Sequence, residues 1–340
     1  MKMSKYNTIA VIYGSDSSEW EVSVRSGLFT ASSIDNSRYA VYEIFARFGK
    51  WQLTAYRNKN SERVEIAEAQ RPEINKSDFS VVLDGKYVKF DFAYIMQHGK
   101  PGENGLLQGY LEILGVPYSS CSAYVSAVAF DKYSCKRYLH RLENVLMAPD
   151  AFIRKGEDIE AFKRKIDASL RYPVFVKPTN GGSSFGVTKV KKPEDLKAAI
   201  EFAFEEGETV IVEQGIVGRE LTCAAYFDGK QIQTLPQIEI VTTNEYFDYD
   251  AKYNGNSQEI CPAPISAEQS AAIAAATRWI YGRLGCSGLV RVDYILAEEG
   301  LYFLEINTIP GMTAASLVPK MVRTAGISIS DFLTTIIENA

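Results

Sequence analysis

The stretch GLVRVDYILAEEGLYFLEINTIPGMT, Gly288 to Thr313, decides how this chain is read. Two apolar-rich runs, Leu289 to Leu296 and Leu301 to Ile306, flank Glu298-Glu299-Gly300, which predicts a β-hairpin. Residues two apart on a strand share a face, so Arg291 points with Asp293 and Glu305 with Asn307. A three-residue turn at Glu298-Glu299-Gly300, glycine in the left-handed position, pairs Ala297 with Leu301. It sets Asp293 opposite Glu305 and Arg291 opposite Asn307. Directly opposed carboxylates repel, and a divalent cation between them removes that cost. Two carboxylates and an amide oxygen suit Mg²⁺, which phosphate oxygens commonly complete. The plain alternative is an exposed polar hairpin face with scattered charges. Val290, Val292, Ile295, Leu304 and Ile306 argue against it, because they imply a sheet covered on one side whose polar face lines a cleft.

Upstream, VFVKPTNGGSSFGV, Val174 to Val187, places Lys177 at the end of an apolar strand and enters a Gly/Ser loop. Glycines let backbone N–H groups approach a phosphate, hydroxyls add donors, and the lysine is a point charge at the mouth. The spacing is neither G-x-x-x-x-G-K-[ST] nor G-x-G-x-x-G, so the standard P-loop and dinucleotide readings do not apply. A simple hairpin turn is the competing reading. In the first third, strands and helices alternate. A buried strand spans Thr8 to Tyr13, a helix starts at about Glu21, strands follow around Tyr39 to Phe45 and Phe92 to Met96, and Asp84-Gly85 signals a hairpin turn. That alternation predicts an open, mostly parallel α/β sheet with ligand sites at the carboxyl ends of its strands.

A helical stretch, Ser122 to Leu142, leads into a second unit with strands at Tyr172 to Lys177, Val187 to Lys191 and Val210 to Glu213. The last third adds strands near Leu221 to Phe227 and Gln231 to Leu235, helices at Ala267 to Leu284 and Ile329 to Asn339, and the hairpin. Its polar, Tyr-rich segment Thr242 to Glu259 is long for a loop in a compact domain, a length that marks functional or disordered segments.

The bulk numbers are those of a soluble globular protein: 340 residues, 46% hydrophobic, 23% charged, net charge −5 from 37 basic and 42 acidic residues. The length predicts two or three domains. No basic block recommends nucleic acid as a partner. No stretch approaches the roughly 20 apolar residues of a membrane span, and the run Ile9 to Tyr13 is too short for a signal-peptide core. The five scattered cysteines include no C-x-x-C pair, which argues against a disulfide framework or zinc site and for a reducing, cytoplasmic setting.

Together these pieces resemble the ATP-grasp superfamily, and within it the D-alanine–D-alanine ligases. The resemblance rests on SEWEVS at Ser18 to Ser23, QHGKPGENG at Gln97 to Gly105, DK at Asp131-Lys132 and VKPTNGGSSFG at Val176 to Gly186. It continues with VEQ at Val212 to Gln214, FDYDAKY at Phe247 to Tyr253, VRVDY at Val290 to Tyr294 and EINTIPGMTAASLVP at Glu305 to Pro319. It implies an α/β (α+β) ATP-grasp fold: an N-terminal open parallel α/β sheet domain over 1–121, a central unit over 122–216 and a C-terminal catalytic unit over 217–340. The last two would clamp ATP, with 242–259 as the lid.

The resemblance also implies roles. Lys132 and Lys177 would hold the α- and β-phosphates of ATP, with Ser184 in the phosphate loop. Glu213, with backbone groups of Gln214 and Ile216, is similar to the adenine hinge, and Glu220 to the ribose ligand. Lys252 would reach the transferred phosphate. Asp293, Glu305 and Asn307 would bind two Mg²⁺ (or Mn²⁺) ions. Glu21 would hold the ammonium of the first D-alanine, hydrogen-bonded with Ser183 and Tyr253, with His98 nearby. Arg291 and Gly311 would stabilise the oxyanion, and Ser316-Leu317 would take the second substrate's carboxylate. Three features depart from the family pattern: the hinge reads Glu-Gln-Gly-Ile, Trp20 stands where relatives often carry arginine, and the phosphate loop reads Asn-Gly-Gly rather than a charged triplet; Asp35 to Gln70 does not align with the family.

The implied chemistry is ligation of two D-alanines through an acyl phosphate, for cell-wall precursors, by a cytoplasmic homodimer that needs neither nucleic acid nor membrane. The rivals are a ligase making D-alanyl-D-lactate or D-alanyl-D-serine, another ATP-grasp carboxylate–amine ligase, and an inactive ATP-binding scaffold. Tyr253 favours D-alanine, since a phenylalanine there goes with lactate use in the family.

Overall fold

Ile9, Ala10, Val11 and Ile12 are fully buried, as a strand covered on both faces requires. They form the middle of β1 (Thr8–Gly14). The computed structural model describes residues 4–140, 144–182, 185–242 and 257–340. After β1 come α1 (Trp20–Ser33), β2 (Ala40–Arg47), β3 (Lys50–Arg57), β4 (Val64–Glu65), the hairpin β5 (Ser80–Leu83) and β6 (Lys86–Lys89), β7 (Phe92–Ile95) and α2 (Leu106–Ile113). The sheet order is β4-β3-β2-β1-β7, with β1 parallel to both β2 and β7. The parallel sheet expected here is thus confined to three of the five strands, β2, β1 and β7. Phe48 and Gly49 both have positive φ, 46° and 76°, and form a two-residue turn. Such a turn turns β3 back antiparallel on β2, with no room for a crossover helix.

The next elements are α3 (Ala123–Phe130), α4 (Lys132–Tyr138), β8 (Leu146–Met147), β9 (Asp150–Arg154), α5 (Ile159–Ser169), β10 (Val174–Pro178), β11 (Thr188–Val190), α6 (Leu196–Glu206) and β12 (Thr209–Gln214). The helix expected from Ser122 is broken at Asp131. Its backbone is extended there, and its carboxylate accepts from the Ser134 N–H at 2.7 Å, so it caps a new helix. Strands β9 to β12 form an antiparallel sheet in the order β11-β10-β12-β9.

Last come β13 (Arg219–Phe227), β14 (Ile232–Thr234), β15 (Ile238–Thr242), β16 (Ser257–Ile260), α7 (Ala267–Leu284), β17 (Leu289–Ala297), β18 (Gly300–Asn307), α8 (Leu317–Thr324) and α9 (Ile329–Asn339). Their sheet runs β16-β15-β13-β17-β18-β8, with β14 beside β13. Thr242 pairs with Ser257, which pins together the two ends of the segment expected to be a lid. The apolar residues form three clusters. One joins the first sheet to α8 and α9 through Ile9, Met321, Val322 and Phe332. The second joins Val125, Cys135 and Leu139 to Val290, Val292 and Tyr294. The third lies within Ala151 to Val212. Val125 to Leu139 and Val145, expected in the central unit, therefore share their core with the C-terminal sheet. Among the described residues, no helix is long and apolar enough to cross a membrane.

Candidate active site

The β17–β18 hairpin reaches the expected pairing by a different route. Ala297 pairs with Gly300, so the turn has two residues, Glu298 and Glu299. Continued regularly, that register would set Asp293 against Leu304 and turn Glu305 and Asn307 to the other face. A β-bulge intervenes: Tyr294 pairs with Phe303 and Asp293 with Glu305, leaving Leu304 as the extra residue. Asp293 consequently faces Glu305, and Arg291 faces Asn307.

Charge at this pairing is already compensated. Asp293 is 5% exposed. Its Oδ1 accepts from Arg291 Nε at 2.9 Å and from the Thr222 hydroxyl at 2.5 Å, and its Oδ2 accepts from the same guanidinium at 2.8 Å. The ordinary Arg291–Asp293 ion pair is therefore present. Lys132 Nζ lies 3.5 Å from Glu305 Oε2 and donates to the Gly181 carbonyl at 2.7 Å. Asn307 Oδ1 accepts from the Ile309 N–H at 3.1 Å, which orients its amide. Cationic side chains thus sit where two hard-oxygen carboxylates face each other, and the donor set of Asp293, Glu305 and Asn307 fits a hard divalent cation.

A cavity of about 440 Å³ opens between β10–β12 and the last sheet. Lys132, Lys177, Glu213, Gln214, Ile216, Glu220, Asp293 and Glu305 all line it, so the ATP-binding residues expected among the described positions converge. Ser184 and Lys252 lie outside the described residues. Glu213 Oε2 accepts from Lys177 Nζ at 2.8 Å, and its Oε1 accepts from the buried Lys136. Burial pushes the Glu213 carboxyl up, but the two lysines outweigh it and hold it down at about 2. Burial lowers Lys177, and Glu213 overrides that to raise it.

A second cavity, of about 460 Å³, adjoins the first. Lys132, Gly181, Gly182 and Glu305 line both. His98, Arg291, Asn307, Gly311, Ser316 and Leu317 come together here as expected. His98 is 5% exposed. Its Nδ1 lies 3.0 Å from the Ile309 carbonyl, which can only accept, so the proton sits on Nδ1. Its Nε2 lies 3.0 Å from Ser26 Oγ, whose hydroxyl therefore donates, while Ser26 Oγ accepts from the Met312 N–H at 3.3 Å. Burial lowers the His98 pKa and keeps the ring neutral. The Ser316 Oγ accepts from the Thr313 N–H at 3.0 Å and stands at the N-cap of α8.

Glu21 is a correction. It is exposed and lines neither cavity. Helix α1 begins at Trp20, so Glu21 is a first-turn acid suited to the helix dipole. Glu19, two residues earlier, is 8% exposed and lines the second cavity. A Cβ on Gly182 would lie 2.2 Å from Glu19 Oε2, so glycine there lets the phosphate loop close onto this carboxylate. Ser183 and Tyr253, its expected partners, lie outside the described residues. The Arg47 guanidinium lies over the Trp20 ring at 4.3 Å and brings a cation to the place where relatives often carry arginine.

Residues 8–121 match the model described as D-ala D-ala ligase N-terminus, and residues 145–338 match D-ala D-ala ligase C-terminus. The chain belongs to the D-alanine–D-alanine ligase family. It is 45% identical over 333 residues to a D-alanine–D-alanine ligase of Phocaeicola vulgatus, covering 98% of each chain. A D-alanine–D-alanine ligase of Parabacteroides distasonis is also 45% identical, with 97% of this chain and 96% of that one covered. Among solved structures, the VanG D-Ala:D-Ser ligase from Enterococcus faecalis superposes with a TM-score of 0.84 at 32% identity, covering 98% of this chain and 99% of that one. The D-alanine–D-alanine ligase from Bacillus anthracis gives 0.76 at 34%, covering 98% and 97%. The fold is the α/β ATP-grasp fold, and the enzyme is an ATP-dependent ligase.

Within this ligase family frame, the sequence reading missed Glu19, Lys136 and Glu103. Glu19 was visible in SEWEVS but was passed over for its neighbour. Lys136 lies four residues after Lys132, one helical turn on, and only the fold shows it buried at 2% exposure. Glu103 lies in the quoted QHGKPGENG, and its carboxylate accepts from the Gly99 N–H at 2.6 Å. Burial first, then the nearby Glu19, pushes the Glu103 pKa up to about 8.

Proposed function

We propose that this chain joins two D-alanines into D-alanyl-D-alanine for peptidoglycan precursors, by way of an acyl phosphate. The observation that carries the reading is the contact of the two cavities across Lys132, Gly181, Gly182 and Glu305. A γ-phosphate at that junction would meet a carboxylate held in the second cavity. In this reading, Lys132 and Lys177 neutralise phosphate charge, and the backbone of Gly181 and Gly182 cradles it. Glu19, in place of Glu21, binds the first substrate's ammonium. Arg291 and the backbone near Gly311 stabilise the tetrahedral oxyanion, worth about 3 kcal/mol per donor. The N-terminus of α8 at Ser316-Leu317 receives the second substrate's carboxylate, as helix N-termini favour anions.

Asp293, Glu305 and Asn307 would hold magnesium or manganese, which when bound neutralises phosphate charge and orients the γ-phosphoryl group. Among the described residues no group of three His, Cys, Asp or Glu gathers at one point, so phosphate and water oxygens would complete the coordination. Closure by the 242–259 segment, with Ser183, Ser184, Lys252 and Tyr253, would exclude water from the acyl phosphate. The chain has three units in this reading, with Val125 to Leu139 and Val145 packed on the C-terminal one. The scattered cysteines and the family resemblance support a cytoplasmic location, and the resemblance supports a homodimer.

The D-serine rival draws support from the similarity to the VanG D-Ala:D-Ser ligase. Phosphate release separates the readings. We expect release with D-alanine alone that D-serine or D-lactate does not raise. Release only on adding D-serine or D-lactate would overturn the D-alanine assignment.

A further inference from the structure

Lys136 is among the largest fully buried side chains of the protein, although it carries a charge. Its Nζ donates to the Ala148 carbonyl at 2.9 Å and to Glu213 Oε1, and forms an ion pair with Asp150 Oδ2 at 2.8 Å. It does not line the nucleotide cavity, whereas Ala148, Lys177 and Glu213 do. Its influence on a nucleotide therefore passes through the groups it contacts on the cavity wall, the Glu213 carboxylate and the Ala148 carbonyl, of which only Glu213 carries a charge. The surroundings of Glu213 mark the base end of the cavity. Phe175 is its cross-strand partner, Ala148 shares Lys136 with it, and Ile216 follows it, all lining the wall. Gly181, Gly182 and Lys132 line the other end, shared with the substrate cavity.

We propose that Lys136 is a positioning residue that holds Glu213 as an acceptor-only anion at the base end and so sets the preference for adenine over guanine nucleotides. The inference rests on the reading of the first cavity as the ATP site. An ionised carboxylate accepts hydrogen bonds and cannot donate. Adenine presents an exocyclic amine that donates, whereas guanine presents a carbonyl oxygen at the equivalent place, which a carboxylate repels. A protonated Glu213 could donate to that oxygen, and the discrimination would shrink. The groups that decide its state are all in view. Lys136 on α4 and Lys177 on β10 contact it directly. Asp150 on β9 is its cross-strand partner and also binds Lys136 and Arg137. Glu305 and Glu220 act on it through Lys177.

The test is a mutant cycle on the purified enzyme with ATP, GTP and D-alanine. Lys136→Met should raise the KM for ATP about tenfold, more than it changes kcat or the KM for D-alanine, and should narrow the ATP-to-GTP ratio of kcat/KM. Its KM for ATP should climb as pH falls, because one remaining lysine opposes burial less well, while the parent enzyme stays flat. Lys136→Met/Glu213→Gln should match Glu213→Gln alone, since a residue that acts only through Glu213 adds nothing once that charge is gone. That comparison decides the matter even where Lys136→Met alone does not fold. A double variant clearly worse than Glu213→Gln, or a single variant that alters kcat and both KM values alike with a flat pH profile, overturns the proposal. If Glu213→Gln leaves the KM for ATP at the parent value, the ATP-site reading itself fails.

Discussion

Replacing Glu19 and Glu21 separately by glutamine tests which acid serves the first substrate. Glu19 is 8% exposed at the second cavity, against the phosphate loop, whereas Glu21 is exposed on the first turn of α1. Removing one partner of a buried, hydrogen-bonded charge pair costs about 2–5 kcal/mol. Taking about 3 kcal/mol, Glu19→Gln should lower kcat/KM for D-alanine by about two orders of magnitude, with the KM for ATP moving far less. Glu21→Gln should leave kcat/KM within about twofold and cost at most about 1 kcal/mol of stability, the value of a first-turn acid. The assay is phosphate release under varied D-alanine at saturating ATP, with thermal unfolding of each variant. A larger loss from Glu21→Gln than from Glu19→Gln would refute the argument from burial.

Glu305→Ala should abolish phosphate release yet leave the fold intact by circular dichroism, because it removes one of two opposed carboxylates and exposes no apolar core; an active variant would refute the metal assignment. Glu103→Gln should stabilise the protein more at pH 8 than at pH 5. With its pKa at about 8 in the fold, Glu103 keeps a proton that the unfolded chain has released above about 4.3, so stability falls as pH rises across that window. The gain should be on the order of 2 kcal/mol in urea unfolding, and an equal effect at both pH values would count against it. His98→Asn keeps a donor for the Ile309 carbonyl but cannot be protonated. It should cost about 1 kcal/mol at pH 8, and its deficit should narrow below about pH 6, where the unfolded parent gains a proton that its buried ring resists; urea titrations at the two pH values check this.

Much of the architecture was legible because periodicity and turn chemistry are local. The helices Ala267–Leu284 and Ile329–Asn339 fall where the pattern set them, and Asp84-Gly85 makes its turn. Helix α3 carried no sign of its end, since Asp131 breaks it only by turning its carboxylate to cap α4. Within 35–70 the strand around Tyr39 to Phe45 was legible as the buried β2, but its return into β3 was not, because the turn uses phenylalanine in the left-handed region, which composition does not announce. Among the described residues, the phosphate lysines, hinge and metal-binding candidates converge on the cavities as the motifs implied. Those motifs record residues that must keep their spacing to meet a ligand.

The amino-acid order by itself determined which residues could carry charge, turn or strand, and therefore the family and the chemistry. Only the folded chain decided which of two neighbouring acids enters the cleft, because burial depends on where α1 begins and on Gly182 approaching from a distant loop. The same holds for the Asp293–Glu305 pairing. The sequence reading reached it with a three-residue turn, whereas the structure makes a two-residue turn and recovers the register with a bulge at Leu304. A strand's facing partner is set by the sum of such offsets along the ladder, and no single residue discloses that sum.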